Sequence, residues 1–79
     1  MRLDKYLKVS RLIKRRTVAN EACDGGIVMV NGKVAKDSVN VSVGDEITIQ
    51  FGNREVKVKV LAVEETSKKD EAKELFEYL

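Results

Sequence analysis

The hydrophobic residues of this chain change their spacing near residue 26, and the two spacings predict two kinds of secondary structure. Before that point apolar side chains recur at helical intervals, which predicts one helix over residues 3–9 and a second over about residues 15–24. A Gly-Gly pair directly after the second pattern is a typical signal for the end of a helix. The stripe expected to be buried on the second helix consists of small side chains: Val18, Ala19, Ala22 and Cys23.

Beyond residue 26 apolar side chains alternate with polar ones, which is typical of strands that bury one face. The first alternating run leads into Asn31-Gly32, the dipeptide that most strongly predicts a two-residue hairpin turn. The alternating runs cover residues 28–30, 39–43, 47–51 and 56–60. Together these patterns predict an α+β fold in which two short N-terminal helices pack on a small antiparallel sheet.

The last twelve residues return to helical spacing and predict a C-terminal amphipathic helix over residues 68–79. The apolar stripe of this predicted helix is Ala72, Leu75, Phe76 and Leu79. We therefore divide the chain into a domain over residues 1–66 and a helical segment over residues 67–79. The helix either folds back on the domain or offers its stripe to a protein partner.

The composition narrows the classes of function. With no histidine and one cysteine, the chain has neither the ligands of a zinc site nor a partner for an intramolecular disulfide, and this fits a reducing compartment. No apolar run is long enough to span a membrane, and the N-terminus lacks the hydrophobic core of a secretory signal. No residues with catalytic chemistry occur at a usable spacing, so we expect a cytoplasmic binding protein without catalytic residues, metal or cofactor.

Positive charge is concentrated at the N-terminus. The first sixteen residues hold seven basic residues and one acidic residue, whereas the remaining sixty-three hold eight basic and twelve acidic residues. Arg15 and Arg16 lie at the predicted start of the second helix, where the helix dipole disfavours cations. A bound phosphate would explain them, because helix starts attract anions and arginines add further hydrogen-bond donors. The concentration of positive charge at the N-terminus indicates a polyanion as the partner. The candidate RNA-binding residues are Arg2, Lys5, Lys8, Arg11, Lys14, Arg15, Arg16, Thr17, Asn20 and Lys33.

Some of the polar residues have a second interpretation. Lys33 lies beside the hairpin turn, where lysines also keep edge strands soluble, and Asn20 could simply face solvent. Tyr6 could stack on a base, but its place in the apolar stripe of the first helix favours the core. Cys23 has no histidine to activate it, so we interpret it as a core residue.

Four short segments occur in a recognisable order. They are residues 2–7 (RLDKYL), 14–17 (KRRT), 26–32 (GIVMVNG) and 41–45 (VSVGD). Each is weak alone, but together they resemble the RNA-binding domain named after small-subunit ribosomal protein S-four. The resemblance covers residues 1 to about 51, and it implies an S-four-like fold that binds RNA.

Within that family, the opening RLDKYLKVSRLIKRRTVANE resembles the RqcP family of ribosome-associated quality-control proteins, which is related to heat-shock protein fifteen. The resemblance implies binding to rRNA and peptidyl-tRNA on stalled large ribosomal subunits, with an RqcH (NEMF-type) factor that adds C-terminal alanine tails. It maps Arg2 and Arg16 onto the arginines that face rRNA and tRNA. It also implies a cytoplasmic, ribosome-associated protein that we expect to be monomeric when free. Arg15 departs from the pattern, since many members have a helix-capping serine there.

Two other functions stay open at this point. One is a recycling factor like heat-shock protein fifteen, which would bind the same subunits without alanine tailing. The other is an adaptor that binds a protein through the predicted C-terminal helix, with the basic surface incidental. The two differ in which part of the chain performs the function.

Overall fold

The computed structural model describes residues 1–64 and 75–79, and within them two helices are combined with a five-stranded sheet. The elements are α1 Leu3–Val9, α2 Arg16–Asp24, β1 Val28–Val30, β2 Lys33–Val34, β3 Glu46–Phe51, β4 Arg54–Val60 and β5 Phe76–Tyr78. The strands lie in the order β2-β1-β3-β4-β5, and every neighbouring pair is antiparallel. The α+β fold with two short helices and an antiparallel sheet is therefore confirmed.

The hairpin between β1 and β2 turns at Asn31 and Gly32, whose φ angles are 53° and 82°. Left-handed backbone at both turn positions is the geometry of the type I′ turn, which suits the twist of paired strands. β1 also pairs with β3, so β1 lies inside the sheet and β2 lies at its edge. Lys33 is consequently an exposed residue of an edge strand.

One face of the sheet and the inner faces of both helices form a single hydrophobic core. α1 contributes large, fully buried side chains, and α2 contributes small ones that let the two helices approach each other closely. The main core residues are Leu3, Tyr6, Leu7, Ala19, Ala22, Cys23, Val28, Ile47, Ile49, Val58 and Val60. Most of the polar and basic side chains of both helices are thereby left at the surface of the domain, whereas Asp4 of α1 is buried.

Two predictions about single stretches are wrong. Residues 39–43 form no strand beyond an isolated bridge, because this stretch bonds to the N-terminus instead of the sheet. The Leu3 amide donates to the Val39 carbonyl oxygen at 2.8 Å, which fixes the start of α1. Val18, predicted to be buried, is 45% exposed.

The prediction of a C-terminal helix is wrong at the end of the chain. Phe76–Tyr78 form β5, which pairs with β4 and extends the sheet by one strand. Their aromatic rings favour a strand and meet edge to face, with centroids 5.2 Å apart. Residues 65–74, which include Ala72 and the start of the predicted helix, lie outside the described residues. Leu75 is buried in this domain, so it is not part of an apolar surface for a partner.

A buried hydrogen bond ties α1 to the segment that leads into β5. The Tyr6 hydroxyl donates to the Leu75 carbonyl oxygen at 2.7 Å, and the amides of Leu61 and Ala62 donate to the same oxygen at 2.8 and 3.2 Å. Burial raises the pKa of Tyr6 to about 12, so the phenol stays protonated and can donate. Tyr6 is fully buried, which confirms that it is a core residue and not a platform for a base.

We expect the Tyr6→Phe substitution to weaken the attachment of α1 to the segment that leads into β5. It removes a donor from a buried site, which should cost about 1–2 kcal/mol in the free energy of unfolding. Urea unfolding measures this cost, and amide hydrogen exchange should become faster at Leu61 and Ala62. Tyr78→Phe is the matched control, because that ring is 71% exposed, and it should change the free energy by less than about 0.5 kcal/mol. Equal effects of the two substitutions would contradict the anchoring role.

Candidate nucleic-acid interface

The N-terminal basic region is built around one buried carboxylate. Asp4 in α1 is 2% exposed, and its oxygens accept hydrogen bonds from α2. Arg16 donates through Nε at 3.2 Å and through Nη2 at 3.4 Å, and Asn20 donates through Nδ2 at 2.8 Å. The backbone amide of Lys5 donates to Asp4 at 2.8 Å. Arg16 and Asn20 are four residues apart, so one face of α2 presents both side chains to Asp4.

A second carboxylate and a second arginine complete the Asp4 cluster, which consists of Arg2, Asp4, Arg16, Asn20 and Asp37. The amide nitrogen of Asn20 also donates to Asp37 Oδ2 at 2.9 Å. Arg2 Nε lies 3.4 Å from Asp4 Oδ1, and Arg2 Nη2 lies 3.9 Å from Asp37 Oδ1. The start of α1, the face of α2 and the loop after β2 therefore hold two arginine head groups on one shared carboxylate.

Burial and hydrogen bonding act on Asp4 in opposite directions. Burial alone raises the pKa of a carboxyl, but hydrogen bonds from Asn20, Arg16 and the Lys5 amide outweigh it and lower the pKa of Asp4 below 3.8. Asp4 is therefore ionised at neutral pH and can anchor both guanidinium groups. The side chains of Arg2 and Arg16 remain 51% and 45% exposed, and each has five N–H donors, more than the cluster uses. Such oriented donors are suited to bind phosphate oxygens.

The other predicted site residues lie mostly on the surface. Lys5 is half-buried, and the exposed residues are Lys8, Arg11, Lys14, Arg15, Thr17 and Lys33. Among the described residues, none of the four exposed cations Lys8, Arg11, Lys14 and Arg15 has an ion-pair partner. Because Asp4 and Asp37 offset the charges of the two clustered arginines, these exposed cations supply much of the positive potential around the Asp4 cluster.

Arg11 has a backbone conformation that usually belongs to glycine. Its φ is 66°, and its amide donates to the Lys8 carbonyl oxygen at 3.0 Å, which ends α1 and turns the chain toward α2. A side chain in this left-handed region costs about 1 kcal/mol relative to glycine. The end of the helix therefore does not explain an arginine at this position, and its exposed side chain adds to the positive charge of this surface.

Two residues are explained by their surroundings. Asn20 does not simply face solvent, because its amide nitrogen is bound to both carboxylates of the cluster, where it positions them. Cys23 is buried, and the pKa of its thiol is raised to about 11 by burial and then by nearby carboxylates, the largest being Asp37. A thiol with this pKa is a poor nucleophile at neutral pH, which supports its interpretation as a core residue.

Sequence reasoning missed Asp4 and Asp37 as parts of this site. For Asp4 a signal exists: it precedes Leu7 by three residues, so it lies near the apolar stripe of α1 rather than opposite it. A carboxylate on a buried face requires cationic or hydrogen-bonding partners, and the basic segment supplies them. Asp37 lies in a loop, and nothing in the local pattern marks it.

Over residues 1–64 and 75–79, no group of three or more histidine, cysteine or carboxylate side chains is arranged to hold a metal ion. The helices of the same residues are too short and too polar to cross a membrane. Every buried side-chain nitrogen and oxygen there has a hydrogen-bond partner. The Asp4 cluster and the exposed cations around it offer positive charge and fixed hydrogen-bond donors.

Comparisons with known proteins find relatives that match this chain over its whole length. The family model of the S4 domain, the S-four domain described above, matches residues 1–47. The RQC P-site tRNA stabilizing factor of Streptococcus pneumoniae is 52% identical over 79 residues, which cover all of this chain and 90% of that protein. Heat shock protein 15 of Escherichia coli is 40% identical over 65 residues, which cover 82% of this chain and 49% of that protein.

A solved structure extends the likeness to the whole described fold. The trimeric structure of heat shock protein 15 from Vibrio cholerae matches with a TM-score of 0.92 at 32% identity, over all of this chain and 81% of that chain. The helices that hold the Asp4 cluster lie within the region that the family model matches. The chain belongs to the S4-domain family and, within it, to the family of the RQC P-site tRNA stabilizing factors.

Proposed function

We propose that this chain binds folded RNA on stalled large ribosomal subunits and acts in ribosome quality control. The observation that supports this function most strongly is the Asp4 cluster, in which one buried carboxylate holds the head groups of Arg2 and Arg16. Fixed donors favour phosphates that are themselves fixed, as in folded RNA, over those of a flexible polyanion. The name of the relatives, RQC P-site tRNA stabilizing factor, supplies the ribosomal context.

In detail, the two RNA partners are rRNA of the large subunit and peptidyl-tRNA. Arg2 and Arg16 contact their phosphates, and the surrounding cations raise the local positive potential. The protein acts in the cytoplasm, on the ribosome, alongside an RqcH (NEMF-type) factor while alanine tails are added to the stalled chain. It is a binding protein that catalyses no reaction, and it is monomeric when free.

Binding to two RNAs gives a small protein specificity that single contacts lack. A phosphate contact positions an RNA but carries no sequence information. Two RNAs that adjoin only on a stalled subunit present a combination of phosphates that neither presents alone. Two weak contacts on one rigid surface reinforce each other, because the second forms at a high effective concentration. By holding tRNA and rRNA together, the protein slows the departure of the tRNA.

Co-sedimentation with purified large subunits tests this function. The wild-type protein should pellet with subunits that carry peptidyl-tRNA and much less with vacant subunits at the same salt concentration. Arg2→Ala should weaken this binding by about tenfold, the cost of losing a charge-assisted contact. Lys59→Ala is the control, because Lys59 alternates with the buried Val58 and Val60 and so projects from the sheet face opposite the core.

Three results would count against the proposal. If the protein failed to pellet with any subunit at low salt, the ribosomal function would be wrong. If vacant and loaded subunits bound equally, tRNA would not be a partner. If Arg2→Ala and Lys59→Ala weakened binding to the same extent, positive charge in general would matter and the Asp4 cluster would not.

A recycling factor that binds the same subunits without tailing is the second candidate. The likeness to heat shock protein 15 of Vibrio cholerae over the whole chain favours it. Pull-down of this protein from cells with stalled subunits separates the two candidates: an RqcH-type protein and alanine-tailed chains in the eluate support quality control, and their absence supports recycling. The adaptor candidate loses part of its predicted stripe, because Leu75 is buried and Phe76 belongs to β5, which pairs with β4.

A further inference from the structure

An open apolar depression, called here the Phe51 pocket, lies where the α1–α2 connector, the start of α2 and the end of β3 meet. Its lining residues are Leu12, Ile13, Lys14, Arg15, Val18 and Phe51, and its free volume is about 430 Å³. Small-ligand sites commonly have volumes of about 300–1,000 Å³. Val18 and Phe51 are 45% and 41% exposed, so large apolar side chains face solvent in a domain with a thin core.

The lining combines three kinds of chemistry. The ring of Phe51 is an aromatic surface, Leu12 and Val18 are aliphatic, and Lys14 and Arg15 are cations. None of the six lining residues is acidic, and within the described residues neither cation has an ion-pair partner. An aromatic ring beside cations is the arrangement that binds single-stranded nucleic acid, because any base stacks on the ring and the cations bind its phosphates.

The pocket is also continuous in sequence with the Asp4 cluster. Lys14 and Arg15, which line the pocket, directly precede Arg16, which binds Asp4. Because the Cα atoms of Arg15 and Arg16 are about 3.8 Å apart, one RNA backbone can contact both guanidinium groups. An acidic peptide would match the two cations as well, but this continuity with the phosphate-binding surface favours a nucleotide.

We propose that the Phe51 pocket binds one unpaired nucleobase of the RNA, stacked on the Phe51 ring, while Lys14 and Arg15 bind the adjacent phosphates. This inference rests on the proposed RNA-binding function and deepens it. The Asp4 cluster binds phosphates of the folded backbone, whereas the pocket selects an RNA with an extruded base. A regular duplex has all of its bases stacked inside and cannot fill the pocket.

A pair of RNA hairpins tests the pocket. One hairpin carries a single bulged adenosine, and the other carries an abasic nucleotide at the same position, so both have the same phosphates. By fluorescence anisotropy, the wild-type protein should bind the bulged adenosine hairpin about five- to a hundredfold more tightly, which is the effect of stacking one base on an aromatic side chain. Arg2→Ala should weaken binding to both hairpins by the same factor.

Substitutions of Phe51 then assign the preference to its ring. Phe51→Leu keeps an apolar side chain but removes the aromatic surface, so it should abolish the preference and leave the affinity for the abasic hairpin unchanged. Phe51→Tyr keeps the ring and should keep the preference. Thermal unfolding of both variants checks that they are folded. A preference that survives in folded Phe51→Leu would overturn the inference.

Other outcomes separate this inference from the function on which it rests. If the wild-type protein bound both hairpins equally, with an affinity that falls as salt rises, the pocket would be wrong and the RNA-binding function would stand. If it bound neither hairpin nor large subunits at low salt, both would be wrong. NMR signals of Val18 and Phe51 that shift with an acidic amphipathic peptide, but not with the bulged hairpin, would assign the pocket to a protein partner and overturn the inference.

Discussion

Asp4→Asn is expected to lower the free energy of unfolding at pH 7 by about 2–4 kcal/mol, because it removes the charged partner at the centre of a buried network. The asparagine keeps one acceptor oxygen, but it places an NH₂ group beside the donors of Arg16 and Asn20. A domain of this size has a total stability of about 4–12 kcal/mol, so the loss is a large fraction of it.

Urea unfolding at pH 7 measures this effect. The matched control is Asp24→Asn, the same chemical change at an exposed position on the same pair of helices. It should alter the free energy of unfolding by less than about 0.5 kcal/mol. Similar losses in both variants would show that the buried position of Asp4 has no special importance.

The lowered pKa of Asp4 gives this stability a definite pH dependence. In the unfolded chain the carboxyl has its ordinary pKa of 3.8, and in the fold the pKa is lower, so the folded state binds fewer protons between these values. The contribution of Asp4 is therefore complete above about pH 5 and is lost as the pH falls through the folded-state pKa. The stabilities of the wild type and Asp4→Asn should therefore converge as the pH falls through the folded-state pKa of Asp4, and curves that stay parallel would contradict this.

Asp4→Asn also shows whether RNA binding depends on the net charge of the surface or on the fixed positions of Arg2 and Arg16. Asp4→Asn raises the net charge by one, so a purely electrostatic surface would bind RNA more tightly. If the carboxylate holds Arg2 and Arg16 in place, the variant should instead bind loaded large subunits more weakly, because both side chains must first be ordered. Co-sedimentation under conditions where the variant is folded distinguishes the two results.

Local elements of this fold could be predicted because their signals lie within a few residues of one another. The first helix is confirmed at Leu3–Val9, the second differs by one residue at its start, and the hairpin turns at Asn31-Gly32 as expected. Spacing of apolar residues reports which face is buried, and that is a property of the local sequence. The charge asymmetry likewise identified the surface on which the Asp4 cluster lies.

Contacts between distant residues could not be predicted in the same way. Asp4 is separated from Arg16 by 12 positions and from Asn20 by 16, and periodicity does not say which side chains meet across two helices. The prediction of a helix at Phe76–Tyr78 was wrong for a related reason. Leu75 and Phe76 fit a helical spacing. Phe76 becomes part of a strand because its backbone can form hydrogen bonds with the edge of β4, and the local sequence does not show that this edge is nearby.

Arg16→Ala should lower the affinity for loaded large subunits by about ten- to a hundredfold, which is the largest effect on binding expected for a single basic residue. The hydrogen bonds from Arg16 Nε and Nη2 to Asp4 fix the guanidinium plane. An arginine held in this way loses little side-chain entropy when it binds a phosphate. Arg2 has longer contacts, at 3.4 Å with Asp4 and 3.9 Å with Asp37, so its removal should cost less.

Folding must be measured alongside binding, because Arg16 is also a partner of buried Asp4. We expect Arg16→Ala to cost about 1 kcal/mol of stability, since Asn20 and the Lys5 amide still bind the carboxylate. Urea unfolding determines this cost, and the binding assay is run where the variant is fully folded. The slope of log affinity against log salt should become less steep by about 0.7–0.9 if Arg16 neutralises one phosphate.

Arg16→Lys tests whether RNA binding needs the oriented guanidinium group of Arg16 or only its positive charge. Lysine keeps the positive charge but cannot bind Asp4 through two parallel donors and a phosphate through others at the same time. Its affinity should therefore lie between those of the wild type and Arg16→Ala, with a salt slope close to that of the wild type. Full recovery of affinity with lysine would mean that the cluster supplies charge but does not orient Arg16 for a phosphate.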